Sequence, residues 1–202
     1  MSQPSPTEVV DGVVFELRPF FRHASNPDWV CLRKFPDYVA RYRALAAELQ
    51  GCNMVELGVD QGGSTSYFLK LYQPRRLLAV ELSESPLPKL NDFLAEHDPE
   101  KRVSLVCGVD QADLVAIPQL VDKLFQGYDL DVVIDDASHV LDTTTQSFEM
   151  LFPRLRPGGI YVIEDWSSEH MLERELQLEM ASNPEGELAA KVANTPDFQY
   201  QL

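Results

Sequence analysis

The sequence predicts an α/β fold in which a doubly wound, mostly parallel β-sheet carries helices on both faces. The first observation is that short apolar runs, typical of buried parallel strands, alternate with segments of helical periodicity from residue 54 onward. The second is that five such strand–helix units follow one another, with clear turn signals such as Pro157-Gly158-Gly159 before the fifth strand. Repeated alternation of this kind builds a parallel sheet.

One amphipathic helix is predicted ahead of this sheet. Residues 35–50 carry apolar side chains at helical spacing, and Gly51 suits the position after a helix end. Residues 9–15 are expected to form a strand or hairpin outside the main sheet. Pro118 suits a first helical turn, so the third helix of the sheet region is expected to begin near it. The predicted strands, each with the helix that follows, are 54–58 with 63–72, 77–82 with 86–97, 103–109 with 112–126, 130–136 with 142–151, and 160–165 with 168–181.

Composition and charge restrict the class of protein. The chain has 202 residues, 45% of them hydrophobic, which suffices for one domain with a buried core. A formal net charge of −15 argues against binding to nucleic acid or to anionic membrane surfaces. No segment resembles a signal peptide or a membrane span, and three cysteines without metal-ligand spacing fit a reducing cytoplasm. The expected partner is a small molecule.

Two acidic clusters follow the fourth and fifth predicted strands. Residues 135–139 read Asp-Asp-Ala-Ser-His, and Glu164 and Asp165 follow the apolar run at 160–163. Both clusters are expected at the carboxyl edge of the sheet, where open α/β folds bind their ligands. Four carboxylates at one edge repel one another and resist desolvation, so a cation or bound water is expected among them. The first hypothesis is therefore a catalytic metal site.

A glycine-containing loop follows the first strand. Gly58 permits a tight turn, while Gly62 and Gly63 let a ligand approach the backbone at a helix amino terminus, whose free N–H groups favour an anionic group such as a carboxylate. The second strand ends in Glu81, which can accept both hydroxyl hydrogens of a ribose. Together they indicate a cofactor that contains adenosine. The plainer alternatives are glycines that only close a turn and a solvated surface carboxylate.

The loop after the third strand offers further polar side chains at the same edge. Asp110 or Gln111 could hydrogen-bond an adenine amino group, whereas Asp113 could instead cap the next helix. Both interpretations stay open on the sequence alone.

From residue 54 to 166 the chain resembles S-adenosylmethionine-dependent methyltransferases of the Rossmann-like class. Four segments resemble more closely the metal-dependent sugar O-methyltransferases, a family that includes macrolide-sugar and rhamnosyl methyltransferases and the proteins labelled cephalosporin hydroxylases. These segments are 56–64 (Glu-Leu-Gly-Val-Asp-Gln-Gly-Gly-Ser), 134–139 (Ile-Asp-Asp-Ala-Ser-His), 147–149 (Ser-Phe-Glu) and 157–165 (Pro-Gly-Gly-Ile-Tyr-Val-Ile-Glu-Asp). Four ordered motifs over more than half of the chain make the resemblance specific.

The resemblance implies a Mg²⁺ site and a proton acceptor. Asp136, Glu164 and Asp165 match the metal ligands of that family, and His139 matches its general base. A carboxylate set suits a hard cation such as Mg²⁺. Asp136 would thereby act in catalysis together with His139, and Asp135 is expected to face the cofactor.

The resemblance also implies how S-adenosylmethionine binds and what the chain does with it. The implied activity is transfer of its methyl group to a hydroxyl of a sugar or another small natural product. The cofactor-binding residues by resemblance are Glu56, Gly58, Gly62, Gly63 and Ser64 for the methionine portion, Glu81 for the ribose, and Asp110 and Gln111 for the adenine.

This interpretation divides the chain into an arm at 1–34, a methyltransferase domain at 35–182 and a tail at 183–202. Methyltransferases of this class usually end with an antiparallel strand pair, for which only 197–202 offers strand material. Either the chain is a fragment, or the fold is shortened, or an oligomeric partner covers the exposed edge.

Ala137 stands where glycine is common in the family, which matters if that position requires a positive φ.

Three other functions stay open. A nicotinamide-dependent oxidoreductase would use the glycine loop and Glu81, but it would leave the acidic clusters unexplained. A metal-independent methyltransferase would keep the cofactor site and treat the carboxylates as structural. A non-catalytic protein would bind S-adenosylmethionine without producing S-adenosylhomocysteine.

Trp166 either walls a sugar pocket or only anchors its loop.

Overall fold

A computed structural model describes residues 5–166 of the chain. The predicted helix at 168–181 and the strand material at 197–202 lie outside the described residues. Within them, no helix is long and apolar enough to cross a membrane.

The described residues form a three-stranded sheet and a five-stranded sheet with five helices. The strands are β1 (Thr7–Val10), β2 (Val13–Leu17), β3 (Val30–Leu32), β4 (Asn53–Leu57), β5 (Arg76–Glu81), β6 (Val103–Cys107), β7 (Leu130–Asp135) and β8 (Leu155–Ile163). The helices are α1 (Pro36–Ala44), α2 (Gly63–Tyr72), α3 (Pro88–His97), α4 (Ala116–Phe125) and α5 (Leu141–Leu151), followed by a 3-10 turn at Phe152–Arg154.

The larger sheet confirms the predicted doubly wound architecture. Its strands are all parallel and lie in the order β6-β5-β4-β7-β8. The chain moves outward from β4 through β5 and β6, then returns to the other side of β4 with β7 and β8. This reversal opens a crevice at the carboxyl ends of β4 and β7, the place where doubly wound sheets bind their ligands.

Alternate residues of β4 show how the sheet is covered on both faces. Met54 packs in a cluster with α1, α2 and the N-terminal sheet, whereas Val55 and Leu57 pack in a second cluster with α4 and α5. All three are fully buried. A strand buried on both faces has to be apolar at nearly every position, and β4 departs from this rule at the half-buried Asn53 at its start and at the buried Glu56 towards its carboxyl end.

The N-terminal segment packs on the same core. As predicted, β1 and β2 form an antiparallel hairpin outside the main sheet, and β3 pairs with β2 in parallel. Phe15 and Leu32 are fully buried in the first core cluster, and the ring of Phe15 lies edge-on to Tyr67 of α2 at 5.2 Å. Burial of an aromatic ring of this kind fixes the segment that leads into α1.

The first helix is shorter than predicted. It ends at Ala44 rather than near residue 50, because the following turns tighten into bonds three residues apart, from Ala46 N to Arg43 O and from Glu48 N to Leu45 O. Phe35 precedes the helix and is 40% exposed, so it does not belong to the buried stripe.

The turn predicted at Pro157-Gly158-Gly159 lies inside β8. Pairing with β7 passes from Leu130 opposite Leu155 to Val132 opposite Ile160, so β8 carries three more residues than its partner across this interval. The extra residues form a bulge, which Gly158 accommodates with φ of 78°. The prediction for α4 is confirmed, because that helix begins at Ala116 with Pro118 in its first turn.

Candidate active site at the carboxyl edge of the sheet

The two acidic clusters meet at the carboxyl ends of β7 and β8. The backbone N–H of Asp136 donates to the carbonyl of Leu57 at 2.9 Å, and that of Glu164 donates to the carbonyl of Asp135 at 2.9 Å. Both residues therefore continue the hydrogen-bonded ladder past the strand ends. The predicted proximity of the two clusters at one edge is found.

Lys34 lies between the two carboxylates. Its Nζ is 2.9 Å from Asp136 Oδ2 and 2.6 Å from Glu164 Oε1, and its side chain is only 2% exposed. The hydroxyl of Tyr42 also donates to Glu164 Oε1, at 2.5 Å. The sequence predicted a cation or bound water among the acids. The Lys34 ammonium, a cation of the protein itself, lies between two of them.

The charges of this cluster hold one another in place. Burial opposes the charge of Lys34, yet the carboxylates of Asp136 and Glu164 outweigh it and raise the pKa of the ammonium. Burial raises the pKa of Glu164, against the lowering effect of Lys34. Burial and the neighbouring Glu164 carboxylate likewise raise the pKa of the Tyr42 phenol, so it remains a hydrogen-bond donor.

A second group of ligand atoms lies beside this pair. One carboxylate oxygen from each of Asp136 and Asp165 and one ring nitrogen of His139 lie within 4.8 Å of one another, and all three residues are half-buried. Two hard oxygen ligands on one side, with the remaining positions left to water and substrate, fit the way in which proteins bind Mg²⁺. Glu164, the third predicted metal ligand, is not in this group. Its carboxylate is bonded to Lys34 and Tyr42.

His139 is oriented by a backbone carbonyl. It adopts φ of 58°, and its Nδ1 lies 3.3 Å from the carbonyl oxygen of Glu164. A carbonyl can only accept, so this contact assigns the proton to Nδ1 and leaves Nε2 as the basic nitrogen. Nε2 lies 3.9 Å from Asp136 Oδ1, beyond hydrogen-bond distance. Ala137 does not adopt a positive φ, so an alanine at that position is not strained by its backbone conformation.

Glu56 brings a buried acid to the same edge from β4. It is 1% exposed and accepts a hydrogen bond from the hydroxyl of Thr65 at 2.7 Å. Burial raises its pKa to about 7, although hydrogen bonds from Ser64 and Thr65 lower it in part. The acid therefore changes charge near neutral pH.

Glu81 organises the loop between β4 and α2. Its Oε2 accepts the N–H groups of Val59 and Asp60, each at 2.9 Å, and its Oε1 accepts the N–H of Ser83 at 2.9 Å. The carboxylate is half-buried at the loop surface. The position beside the glycine loop is the predicted one, and its contact with a ribose stays a prediction.

The glycines of this loop are required by protein packing. A Cβ at Gly58 would lie 2.2 Å from the carbonyl oxygen of Asp136, and one at Gly63 would lie 2.1 Å from that of Cys31. Gly62 has φ of 86°, and a Cβ there would lie 2.7 Å from the Cβ of Leu90. The first turn of α2, however, has no side-chain cap among the described residues, so its backbone N–H groups remain available to an anion.

Asp135 belongs to a closed polar network below the edge. Its carboxylate accepts hydrogen bonds from Ser147 Oγ at 2.7 Å, Tyr161 OH at 3.2 Å and Gln111 Nε2 at 3.2 Å. Burial raises the pKa of Asp135, and these donors offset the rise in part. The amide of Gln111 also accepts the N–H of Ser138 at 2.7 Å, which ties the 135–139 loop to the loop after β6.

These contacts engage both ends of the Gln111 side chain within the protein. The assignments of Asp135 and Gln111 to the cofactor stay predictions, and a contact of the Gln111 side chain with adenine would require its amide to exchange partners. Asp110 is exposed, with its carboxylate accepting the N–H of Ala112 at 2.8 Å. Asp113 accepts the N–H groups of Val115 and Ala116 at the start of α4, as the capping interpretation expects.

Sequence reasoning missed Lys34 and Tyr42. Both precede the first strand of the sheet and reach Glu164 from 130 and 122 residues away. The available signal was a lysine two residues before Pro36, at the start of a helix whose buried face includes Tyr42. Nothing in this pattern separates it from a surface lysine. Trp166 is 43% exposed at the end of the described residues.

Two curated relatives of the chain are O-methyltransferases. The chain is 41% identical over 137 residues to 8-demethyl-8-alpha-L-rhamnosyl tetracenomycin-C 2'-O-methyltransferase of Streptomyces olivaceus, covering 63% of this chain and 32% of that protein. It is 30% identical over 152 residues to demethylmacrocin O-methyltransferase of Streptomyces fradiae, covering 71% of this chain and 34% of that protein. The chain thus spans about a third of the length of these curated relatives.

A solved structure supports the same fold. The O-methyltransferase TomG from Streptomyces achromogenes, solved in complex with SAM, superposes with a TM-score of 0.55 at 18% identity, covering 85% of this chain and 73% of that one. At this identity the likeness concerns the fold alone. The family described as "Methyltransferase domain" matches residues 55–166, which is more than half of the chain and includes the Gly58 loop, Glu81 and both acidic clusters. The chain therefore belongs to the methyltransferase domain family.

Proposed function

We propose that the chain carries out S-adenosylmethionine-dependent O-methyl transfer, assisted by Mg²⁺, to a hydroxyl of a sugar or another small natural product. The observation that carries the proposal is the group formed by Asp136, His139 and Asp165, whose ligand atoms lie within 4.8 Å at the carboxyl edge of the sheet. This group combines two metal-binding carboxylates with one basic nitrogen. Such a combination suits deprotonation of a hydroxyl.

The cofactor half of the proposal rests on the crevice beside β4. The N–H groups at the start of α2 suit the carboxylate of a methionine moiety, and Glu81 lies at the next strand end, where a ribose is bound in folds of this kind. Membership of the methyltransferase domain family supports S-adenosylmethionine as the methyl donor. Its sulfonium makes the transferred methyl group electrophilic, so the protein has only to position and deprotonate the acceptor.

A bound Mg²⁺ would lower the pKa of a coordinated hydroxyl and orient its neighbours. Asp136 and Asp165 would hold the ion, with Glu164 as the third predicted ligand. His139 then accepts the proton at Nε2, because its Nδ1 proton is committed to the carbonyl of Glu164. The charge that develops on the imidazole is stabilised by Asp136, 3.9 Å away.

The acceptor class is inferred from the relatives. The two curated relatives are named for the 2'-O-methylation of a rhamnosyl tetracenomycin and the O-methylation of demethylmacrocin. A deoxysugar attached to a natural product is therefore the acceptor class to test first. Turnover is expected in the cytoplasm, and a second copy of the chain is a candidate partner at the β8 edge.

A metal-independent methyltransferase is the second candidate, favoured by one observation. Lys34 already neutralises part of the charge on Asp136 and Glu164, so those acids need no metal for their stability. The two candidates differ under chelation. Activity that survives saturating EDTA supports the second candidate and contradicts the first.

The metal and cofactor sites are tested separately by paired variants. Asp136→Asn and Glu164→Gln are expected to abolish Mg²⁺-dependent formation of S-adenosylhomocysteine while leaving cofactor affinity within about threefold, since neither is among the predicted cofactor-binding residues. Glu81→Gln is the matched control and should weaken cofactor binding about tenfold, because an amide cannot accept two hydroxyl hydrogens as a carboxylate does. Unchanged activity in both metal-site variants would contradict the proposed metal site.

The role of His139 is tested by pH. His139→Ala is expected to lower turnover about 10²- to 10⁴-fold at neutral pH, with a partial recovery at alkaline pH where the hydroxyl ionises more readily. The measurement is the pH–rate profile of the wild type and the variant with the same acceptor. A flat ratio across the pH range would exclude His139 as the base.

A further inference from the structure

Lys34 is a buried, charged side chain of the candidate site to which the proposed mechanism gives no role. It follows β3 of the N-terminal sheet. Its ammonium lies between Asp136 and Glu164, which follow two strands of the main sheet that are distant from Lys34 in sequence. Its side chain is 2% exposed, against 25% for Asp136 and 4% for Glu164. A lysine buried to this degree has lost its hydration and depends on its carboxylate partners.

The ammonium contacts one carboxylate of the proposed metal site and the neighbouring Glu164, the third predicted ligand. Asp136 Oδ2 lies 2.9 Å from Nζ and Glu164 Oε1 lies 2.6 Å from it. Asp136 also belongs to the group with His139 and Asp165, which would hold Mg²⁺. The ammonium and a bound ion would therefore share the carboxylate of Asp136, and their like charges would repel each other.

We propose that Lys34 is a positioning residue that acts as a built-in competitor of the divalent cation. Its ammonium holds Asp136 and Glu164 together when no metal is bound, and it lowers the affinity of the same acids for Mg²⁺. This inference rests on the proposed metal site. It adds that the N-terminal segment, and not only the sheet, sets the strength of metal binding.

Isothermal titration of the full chain with MgCl₂ at fixed pH and ionic strength tests the competition. Lys34→Met keeps a similar side-chain length without charge, and it should tighten Mg²⁺ binding by at least about tenfold, because a repelling charge next to the ion is removed. Lys34→Arg keeps the charge and should not tighten binding. Arg33→Gln is the matched control, since it removes a positive charge one residue away that pairs with Asp60 at the surface.

Thermal unfolding in the same samples gives a second measurement. Without metal, Lys34→Met should unfold at a lower temperature than the wild type, because two acids lose their partner. Added MgCl₂ should then raise its unfolding temperature more than that of the wild type. Arg33→Gln should behave as the wild type in both measurements, because an exposed charge is screened by salt.

The wild type itself provides a measurement that does not depend on folding of the Lys34→Met variant. A buried ammonium held by two carboxylates exchanges its protons slowly, so it should give a resolved signal in a ¹⁵N-lysine spectrum, assigned by its loss in Lys34→Arg. Saturating MgCl₂ should shift or broaden that signal. A signal that stays unchanged while Mg²⁺ binds would overturn the competition.

The outcomes separate this inference from the proposed function. Equal or weaker Mg²⁺ binding in Lys34→Met, with measurable binding in the wild type, overturns the competition and leaves the metal site standing. Absence of binding in both proteins overturns both. Tighter binding in Lys34→Met and in Arg33→Gln alike overturns the specific role of Lys34 in favour of the net charge of the chain.

Discussion

The buried carboxyl of Glu56 is expected to make the stability of the protein depend strongly on pH. Its pKa of about 7 in the folded state compares with an ordinary value of 4.5. A group whose pKa is raised on folding contributes stability that is complete below the ordinary value and is lost as the pH rises through the folded value. The pH window for this effect is therefore about 4.5 to 7.

The magnitude follows from the same two values. Between pH 5 and pH 8 the folded state must give up a proton that the unfolded state has largely lost already, which lowers the free energy of unfolding by about 2 to 3 kcal/mol. Glu56 is fully buried, so solvent screening does not reduce this figure appreciably. Glu56→Gln mimics the protonated acid and removes the effect.

The assay is urea unfolding of the wild type and Glu56→Gln at pH 5 and pH 8. The wild type should lose about 2 to 3 kcal/mol more than the variant between the two pH values. Thr65→Val removes a donor to the ionised form and should shift the loss to higher pH. Glu48→Gln, at an exposed position, controls for the loss of a surface charge. Parallel pH dependence in the wild type and Glu56→Gln would show that Glu56 does not have a raised pKa in the folded state.

Two further predictions concern packing and the polar network. Gly58→Ala should lower the free energy of unfolding by at least about 2 kcal/mol, because its Cβ would lie 2.2 Å from the carbonyl oxygen of Asp136. Gly51→Ala is its control in urea unfolding, since Gly51 also has a positive φ but nothing within 4 Å, and it should cost about 1 kcal/mol; equal costs would contradict the clash. Ser147→Ala removes a donor to Asp135 and should cost about 1 to 2 kcal/mol in urea unfolding; an unchanged free energy of unfolding would contradict the role of this hydrogen bond in the buried network.

The strands of the main sheet were predictable from the sequence because each buried parallel strand is a short run of apolar residues. The α2 helix was predicted at its observed bounds, and β4, β5 and β7 within a residue at each end. The bulge in β8 was not predicted, because Pro157-Gly158-Gly159 has the same local signature in a turn and in an irregular strand.

The candidate site was predictable only in part, for a reason of distance along the chain. Asp136 and Glu164 follow strands, so the order of the sheet brings them together. Lys34 meets them from 102 and 130 residues away, through packing of the N-terminal sheet that no local pattern encodes. The role of Gly63 was not predictable for a different reason. The sequence does not show whether a glycine makes room for a ligand or, as Gly63 does, for the carbonyl oxygen of Cys31.

The central claim is that one edge of the sheet joins a cofactor crevice to a metal centre, and a crystal structure of the chain with S-adenosylhomocysteine and Mn²⁺ tests it most directly. Mn²⁺ shares the oxygen preference of Mg²⁺ and is located by its anomalous scattering. We expect an anomalous peak at Asp136 and Asp165, with the cofactor between the start of α2 and Glu81. A cofactor bound elsewhere, or a peak away from these acids, would contradict it.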